Sequence, residues 1–234
     1  MAIYLEQIQS LAKEIIRQAD MALDEGDDDE NPTFEADIED TRDGFRQAKI
    51  ILEVGHGPHP DGFEPGAVDE RTGVREWDMN KICARACRKT LTELGYKDVE
   101  VTDIDDYLGS IGALYADAEV FVSVHHNAFS DPKAQGAEVL VHQDYGDKQD
   151  ERLAQIMSEK LATDLDIPNR GVKRAKLGVL RGAIQGSDKP GRAVVLAEPY
   201  FITAGDISKH SRWSELAGES MAGAIHAYLL QVDA

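Results

Sequence analysis

The sequence predicts an α/β protein: a mostly parallel or mixed twisted sheet with helices on both faces, preceded by an N-terminal helical segment. Three observations carry that reading. Short apolar runs alternate along the chain with longer amphipathic stretches, the pattern of strands and helices taken in turn. Several of those runs lack polar alternation, as strands buried on both faces do. The chain has 234 residues, 42% of them hydrophobic, enough for one domain with a real core plus an appendage.

Ile3 to Leu23 reads as an amphipathic helix, with Ile8, Leu11, Ile15 and Ala22 along one stripe. Asp24 to Pro32 (DEGDDDENP) breaks the pattern with a like-charge block that repels itself and reads as a solvated linker. A divalent-cation site is the weaker reading there, because the glycine spacing and terminal Glu of an EF-hand loop are missing. Residues 1–47 are thus expected to form an N-terminal amphipathic helix and acidic linker, and residues 48–234 the main domain.

In that domain Ala48–Val54 (AKIILEV) reads as a buried strand ending at Gly55. Glu76 to Leu94 reads as a helix with Met79, Cys83, Ala86, Cys87, Leu91 and Leu94 on one face, stopped by Gly95. Asp98–Asp103, Ala118–Val124 and Ala137–His142 read as strands, and Asp150–Leu165 as the next helix. Leu177–Gly182 (LGVLRG) and Arg192–Glu198 (RAVVLAE) read as two more strands, and a helix from about Trp213 to Val232 closes the chain.

Charge narrows the function classes. There are 25 Lys+Arg against 44 Asp+Glu, a net charge of −19. Phosphate neutralisation needs clustered Lys and Arg, so nucleic-acid binding is excluded, as is a polybasic membrane surface. No apolar run approaches the roughly 20 residues that span a bilayer. The N-terminus has no basic region leading into an apolar stretch, so synthesis in the cytoplasm without a signal peptide is expected. Residues 1–48 hold 4 Lys+Arg and 14 Asp+Glu, so just over half of the net charge sits ahead of the main domain. Two cysteines make no disulfide framework; Cys83 and Cys87, four apart on the apolar stripe of their helix, read as core.

In open α/β sheets, sites gather at the carboxyl ends of strands. Gly55-His56-Gly57 follows the first strand, and its glycines leave room for close approach to the imidazole. Val124-His125-His126-Asn127 ends the AEVFVSV run, and Glu198 ends RAVVLAE. Glu76 sits on the first turn of the helix after His56, where the helix dipole favours a carboxylate. Two imidazoles and a carboxylate are a common ligand set for catalytic zinc, and a spare carboxylate suits proton transfer from water to a leaving amine. His59, between Pro58 and Pro60, is a rival ligand read as a surface loop residue; His142, His210 and His226 lie away from any motif.

The order GHG (Gly55–Gly57), a Glu about twenty residues on, S-x-H-x-N-A (Ser123–Ala128) and L-x-E-x-x-F (Leu196–Phe201) resembles the zinc-dependent N-acetylmuramoyl-L-alanine amidases of the amidase-3 type. NRGVKRAKLGVLRG (Asn169–Gly182) is similar to a further segment of that family, and the likeness covers roughly Ala48 to Val232. It implies that residues 48–234 are a zinc amidase catalytic domain hydrolysing the amide between N-acetylmuramic acid and L-alanine in peptidoglycan. It implies one Zn2+ held by His56, Glu76 and His125, with Glu198 as the catalytic carboxylate. His125 rather than His126 is the implied ligand, being the third residue of S-x-H. Asn80 and Asn127 match polar family positions that fix ligand orientation. The family often has Asp-Pro where this chain has Glu53-Val54, and a small residue where it has His126, which is expected to narrow the groove or touch substrate. Peptidoglycan is the expected partner, with neither nucleic acid nor membrane, and a phage endolysin released through host lysis is the expected setting. The alternatives are another zinc peptidoglycan peptidase or carboxypeptidase, and a non-catalytic wall-binding module of the same fold.

Overall fold

The computed structural model describes residues 47–103, 108–187, 189 and 192–232. The N-terminal helix and acidic linker expected within residues 1–47 lie outside the described residues, residue 47 apart. In chain order the elements are β1 (Ile50–Val54), the small hairpins β2 (Gly57–His59)–β3 (Gly62–Glu64) and β4 (Val68–Asp69)–β5 (Val74–Arg75), and α1 (Glu76–Glu93). There follow β6 (Val99–Thr102), α2 (Leu108–Leu114), β7 (Val120–Val124), β8 (Ala137–His142) and α3 (Lys148–Leu165). The chain continues through β9 (Asn169–Ala175), α4 (Gly178–Gln185), β10 (Ala193–Glu198), a 3-10 turn (Ile207–Lys209) and α5 (His210–Val232).

The central sheet has the order β6-β1-β7-β10-β8-β9 among the described residues. The first four strands are parallel; β8 runs antiparallel to β10, and β9 parallel to β8. The sheet is therefore mixed and mostly parallel. Its inner strands β1, β7 and β10 are almost wholly apolar because each of their faces meets helices. Ile50, Leu52 and Val54 of β1 and Val120, Val122 and Val124 of β7 face one core, with Cys83 and Cys87 of α1, Met157 of α3 and Met221 of α5. The intervening Ile51, Phe121, Val194 and Leu196 face the other core, with Val179, Leu180 and Ala183 of α4. This period-two division is what a doubly covered sheet requires.

Glycines set two helix crossings. A Cβ on Gly218 of α5 would lie 2.2 Å from the Cys83 carbonyl oxygen in α1, and one on Gly182 of α4 would lie 2.0 Å from that of Gly109 in α2. The backbones meet where no side chain fits. Cys83 and Cys87 are fully buried in the first core.

One expected element is different. The sequence pattern of Leu177–Gly182 predicts a strand, but Gly178–Gln185 is α4, with Val179, Leu180 and Ala183 buried. Buried positions one and four apart are helical spacing, and a four-residue apolar run carries too little pattern to separate the two forms. The strand in this region is instead β9, which is largely exposed and lies at the sheet edge.

Parallel pairing decides where chemistry gathers. β1, β7 and β10 end at the same sheet edge, so residues just after Val54, after Val124 and at Glu198 share it. Because β8 is antiparallel, its beginning reaches that edge too, and Glu138 pairs with Glu198.

Candidate metal centre

The chain turns sharply after β1. Gly55 N–H donates to the Val124 carbonyl at 3.0 Å, tying the turn to β7. His56 then takes φ 66°, the left-handed region that few residues other than glycine enter, and Gly57 follows at φ 98°. Such a conformation is kept only where surrounding contacts hold it. Here Asn80, on α1, donates its side-chain amide to the Gly55 carbonyl at 3.0 Å.

Glu76 is the first residue of α1 and is 5% exposed, so every oxygen contact counts. Its Oε1 accepts from His125 Nδ1 at 2.9 Å and from the His126 backbone N–H at 3.2 Å. Its Oε2 accepts from the Ala67 N–H at 2.9 Å and lies 3.2 Å from His56 Nε2. Burial opposes the charge, but the hydrogen bonds from His125 and His56 outweigh it and hold this carboxyl well below the usual carboxylate range. Burial likewise opposes a charged His56, yet its contacts with Glu76 and Glu64 raise its pKa above the ordinary value.

His56, Glu76 and His125 present one ligand atom each within 4.8 Å of one another, and the two rings meet edge-on at 4.8 Å between centroids. Glycine lets the backbone come close to these side chains. A Cβ on Gly55 would lie 2.2 Å from His125 Nε2, and one on Gly66 would lie 2.6 Å from His56 Cδ2 and 2.7 Å from Glu76 Oε2. Two imidazoles and a carboxylate, with space kept clear around them, fit a zinc-type ion.

Glu198 ends β10 at the same edge. Its Oε2 accepts from Asn127 Nδ2 at 2.5 Å, and Asn127 also donates to Glu138 Oε1 at 2.9 Å. Arg170 of β9 donates to Glu138 Oε2 at 2.5 Å while its guanidinium lies over the Phe201 ring. Burial, with Glu138 opposite, pushes the Glu198 carboxyl up to about 8.

His126 departs from expectation. It is 2% exposed and does not line the groove. Its Nδ1 is 2.7 Å from Asn80 Oδ1, its Nε2 is 3.4 Å from Ser214 Oγ, and its ring sits edge-on to Tyr200. Asn80 donates to Gly55, so its oxygen must accept from the His126 Nδ1–H, and burial holds that ring neutral with a pKa near 3. The residue fills interior space behind the ligand loop rather than touching substrate.

Glu53, where the Asp of Asp-Pro often stands, is buried and accepts from Ser123 Oγ at 2.5 Å. His59 ends β2, its Nδ1 accepting from the Asp61 N–H, and is not among the clustered ligands. Nothing in the sequence marks Glu64, Glu138 and Arg170 as site residues. Glu138 opens the AEVLVH strand, and only the antiparallel pairing with β10 reveals that this is the site edge.

Residues 50–226 match the profile of the family Amidase_3, N-acetylmuramoyl-L-alanine amidase. The chain is 30% identical to N-acetylmuramoyl-L-alanine amidase LytC of Bacillus subtilis (strain 168) over 165 residues, 68% of this chain and 31% of LytC. It therefore spans about a third of that relative's length. An N-acetylmuramoyl-L-alanine amidase from Clostridium difficile 630 shares the fold at TM-score 0.64 and 23% identity, over 80% of this chain and 98% of that one. The catalytic domain of the CD27L endolysin targeting Clostridia difficile shares it at TM-score 0.58 and 24% identity, over 79% and 97%.

Proposed function

The chain belongs to the N-acetylmuramoyl-L-alanine amidase family Amidase_3, and from that membership we propose that it hydrolyses the amide between N-acetylmuramic acid and L-alanine in peptidoglycan, with zinc held by His56, Glu76 and His125. The observation that carries this reading is the His56–Glu76–His125 cluster at the sheet edge that Glu198 shares. Zinc, when bound there, supplies Lewis acidity that polarises a carbonyl and brings the pKa of water to near 7.

The chain's own groups do the rest. Glu76 is ionised and oriented by four contacts before any ligand arrives. Glu198 is the proton carrier: beside a positively charged centre its ionised form is favoured, and it accepts the proton of the attacking water. The C–O bond forms, the C–N bond breaks, and Glu198 returns the proton to the departing L-alanine nitrogen, leaving a lactyl carboxylate. Asn127 holds Glu198 in place through the 2.5 Å hydrogen bond.

A lytic role of the endolysin kind is part of the proposal, supported by the fold shared with an endolysin catalytic domain. No helix among the described residues is long and apolar enough to cross a membrane. The test is clearing of a purified peptidoglycan suspension. Loss of clearing in a chelator and its return on adding zinc are expected; clearing indifferent to chelator overturns the reading.

A further inference from the structure

An imidazole binds a metal through a nitrogen that carries no proton, so the partner of its other nitrogen decides how the ring is presented. The two imidazoles of the cluster differ in this respect. His125 turns Nδ1 toward Glu76, and its Nε2 lies against Gly55. His56 does the reverse: Nε2 faces Glu76 at 3.2 Å, and Nδ1 points outward to Glu64 Oε1 at 3.3 Å.

Glu64 is the last residue of β3, paired across the hairpin with Gly57, the residue after His56. The hairpin rests on α1 by an aromatic contact: Phe63 meets Trp77 edge-on at 4.9 Å, and the Arg75 guanidinium lies 5.6 Å from the Phe63 ring centre. Trp77 follows Glu76 directly. A Cβ on Gly57 would lie 2.2 Å from Trp77 Nε1, so glycine permits this approach. One short hairpin is thereby clamped beside one ligand, Glu76, while it delivers a carboxylate to another, His56.

We infer that Glu64 is a positioning residue for the metal centre: its carboxylate accepts the His56 Nδ1–H, which fixes the tautomer and leaves Nε2 as the ligand atom. The inference rests on the proposed zinc role of His56. A carboxylate only accepts, so it selects the Nδ1–H form. The Glu64 side chain is 61% exposed, and an exposed ion pair contributes little to folding. Its effect belongs in metal affinity, because a bound cation makes Nδ1–H a stronger donor.

The test uses the full chain stripped of metal, with zinc affinity read by competition against a chromophoric chelator. Glu64→Ala is expected to weaken zinc binding about 10–100-fold, the usual cost of losing such a partner. Glu64→Gln, whose amide oxygen still accepts, is expected to lose less, and Phe63→Ala to weaken binding through the displaced hairpin. Melting of the metal-free Glu64→Ala protein is expected to match wild type, and its cobalt-substituted form to show an altered visible spectrum. Glu64→Ala binding zinc within about twofold of wild type, against that 10–100-fold expectation, overturns the assignment. A wild type that takes up no zinc overturns the proposed function itself, and this assignment with it.

Discussion

Glu138 and Glu198 stand directly opposite each other on antiparallel β8 and β10 and share the side-chain amide of Asn127, which gives one N–H to each. Arg170 binds Glu138 from its other side, so the two carboxyls are unequal. Glu138 has a cation and an amide; Glu198 has the amide and the facing Glu138 carboxyl, and burial beside that carboxyl keeps its proton on to about pH 8. In the proposed reaction, beside the bound cation, Glu198 is the group that takes up a proton and then hands it on.

Replacing it separates chemistry from metal binding. Glu198→Gln preserves shape and the Asn127 contact but cannot carry a proton. Turnover is expected to fall about 10²–10⁴-fold, the usual contribution of general acid–base catalysis, with zinc content unchanged. His56→Ala and His125→Ala are expected to lose the metal itself. Zinc measured by atomic absorption beside peptidoglycan turnover distinguishes the two outcomes.

Stability of the metal-free protein carries the same signature. Folding raises the Glu198 pKa from the ordinary 4.5 to about 8, so it favours the protonated form. That contribution is complete below about 4.5 and is lost as pH rises through about 8. Glu198→Gln does not titrate. Its melting temperature is expected to gain on wild type across that window and hold a constant lead above it; a lead independent of pH contradicts the burial argument.

The strut behind the ligand loop has its own test. Asn80→Ala leaves the Gly55 carbonyl and the His126 Nδ1–H without partners in the interior. A loss of about 1–3 kcal/mol is expected, the cost of an unpaired buried group, read as a lower urea midpoint.

Helix crossings predict a contrast between two glycines. Gly218→Ala places a Cβ 2.2 Å from the Cys83 carbonyl and 2.8 Å from the Cys87 nitrogen, so α5 must move off α1. A cost of about 1–3 kcal/mol is expected. At Gly109 the nearest atom is 3.9 Å away, and Gly109→Ala is expected to be neutral or stabilising by up to about 1 kcal/mol. Paired thermal melts decide it.

The parts legible in the sequence are those whose pattern is local. β1, β7, β8 and β10 announce themselves as apolar runs, and α1, α3 and α5 as long stripes with clear periods. The short α4 does not: Val179, Leu180 and Ala183 suit a strand as readily as a helix until their burial is seen. The hairpins β2–β3 and β4–β5 pass unnoticed because their strands are only two or three residues long, too short for an alternation to show. His56, Glu76, His125 and Glu198 stand out because each sits at an element boundary. Glu64, Glu138 and Arg170 do not, since their roles depend on pairings between distant strands or across a turn. His126 misleads for a related reason: its neighbour faces the centre, but whether a ring points to solvent or to Ser214 depends on α5, 88 residues away.

Which bond is cut decides between an amidase and any other peptidoglycan hydrolase, and the new amine terminus reports it. Purified peptidoglycan is digested with and without a zinc chelator, the free amines are labelled, and the products are identified by mass spectrometry. Stem peptides with a new L-alanine amino terminus are expected, absent when the chelator is present. New amines elsewhere in the stem peptide, or L-alanine termini that form equally well in the chelator, contradict the proposed function.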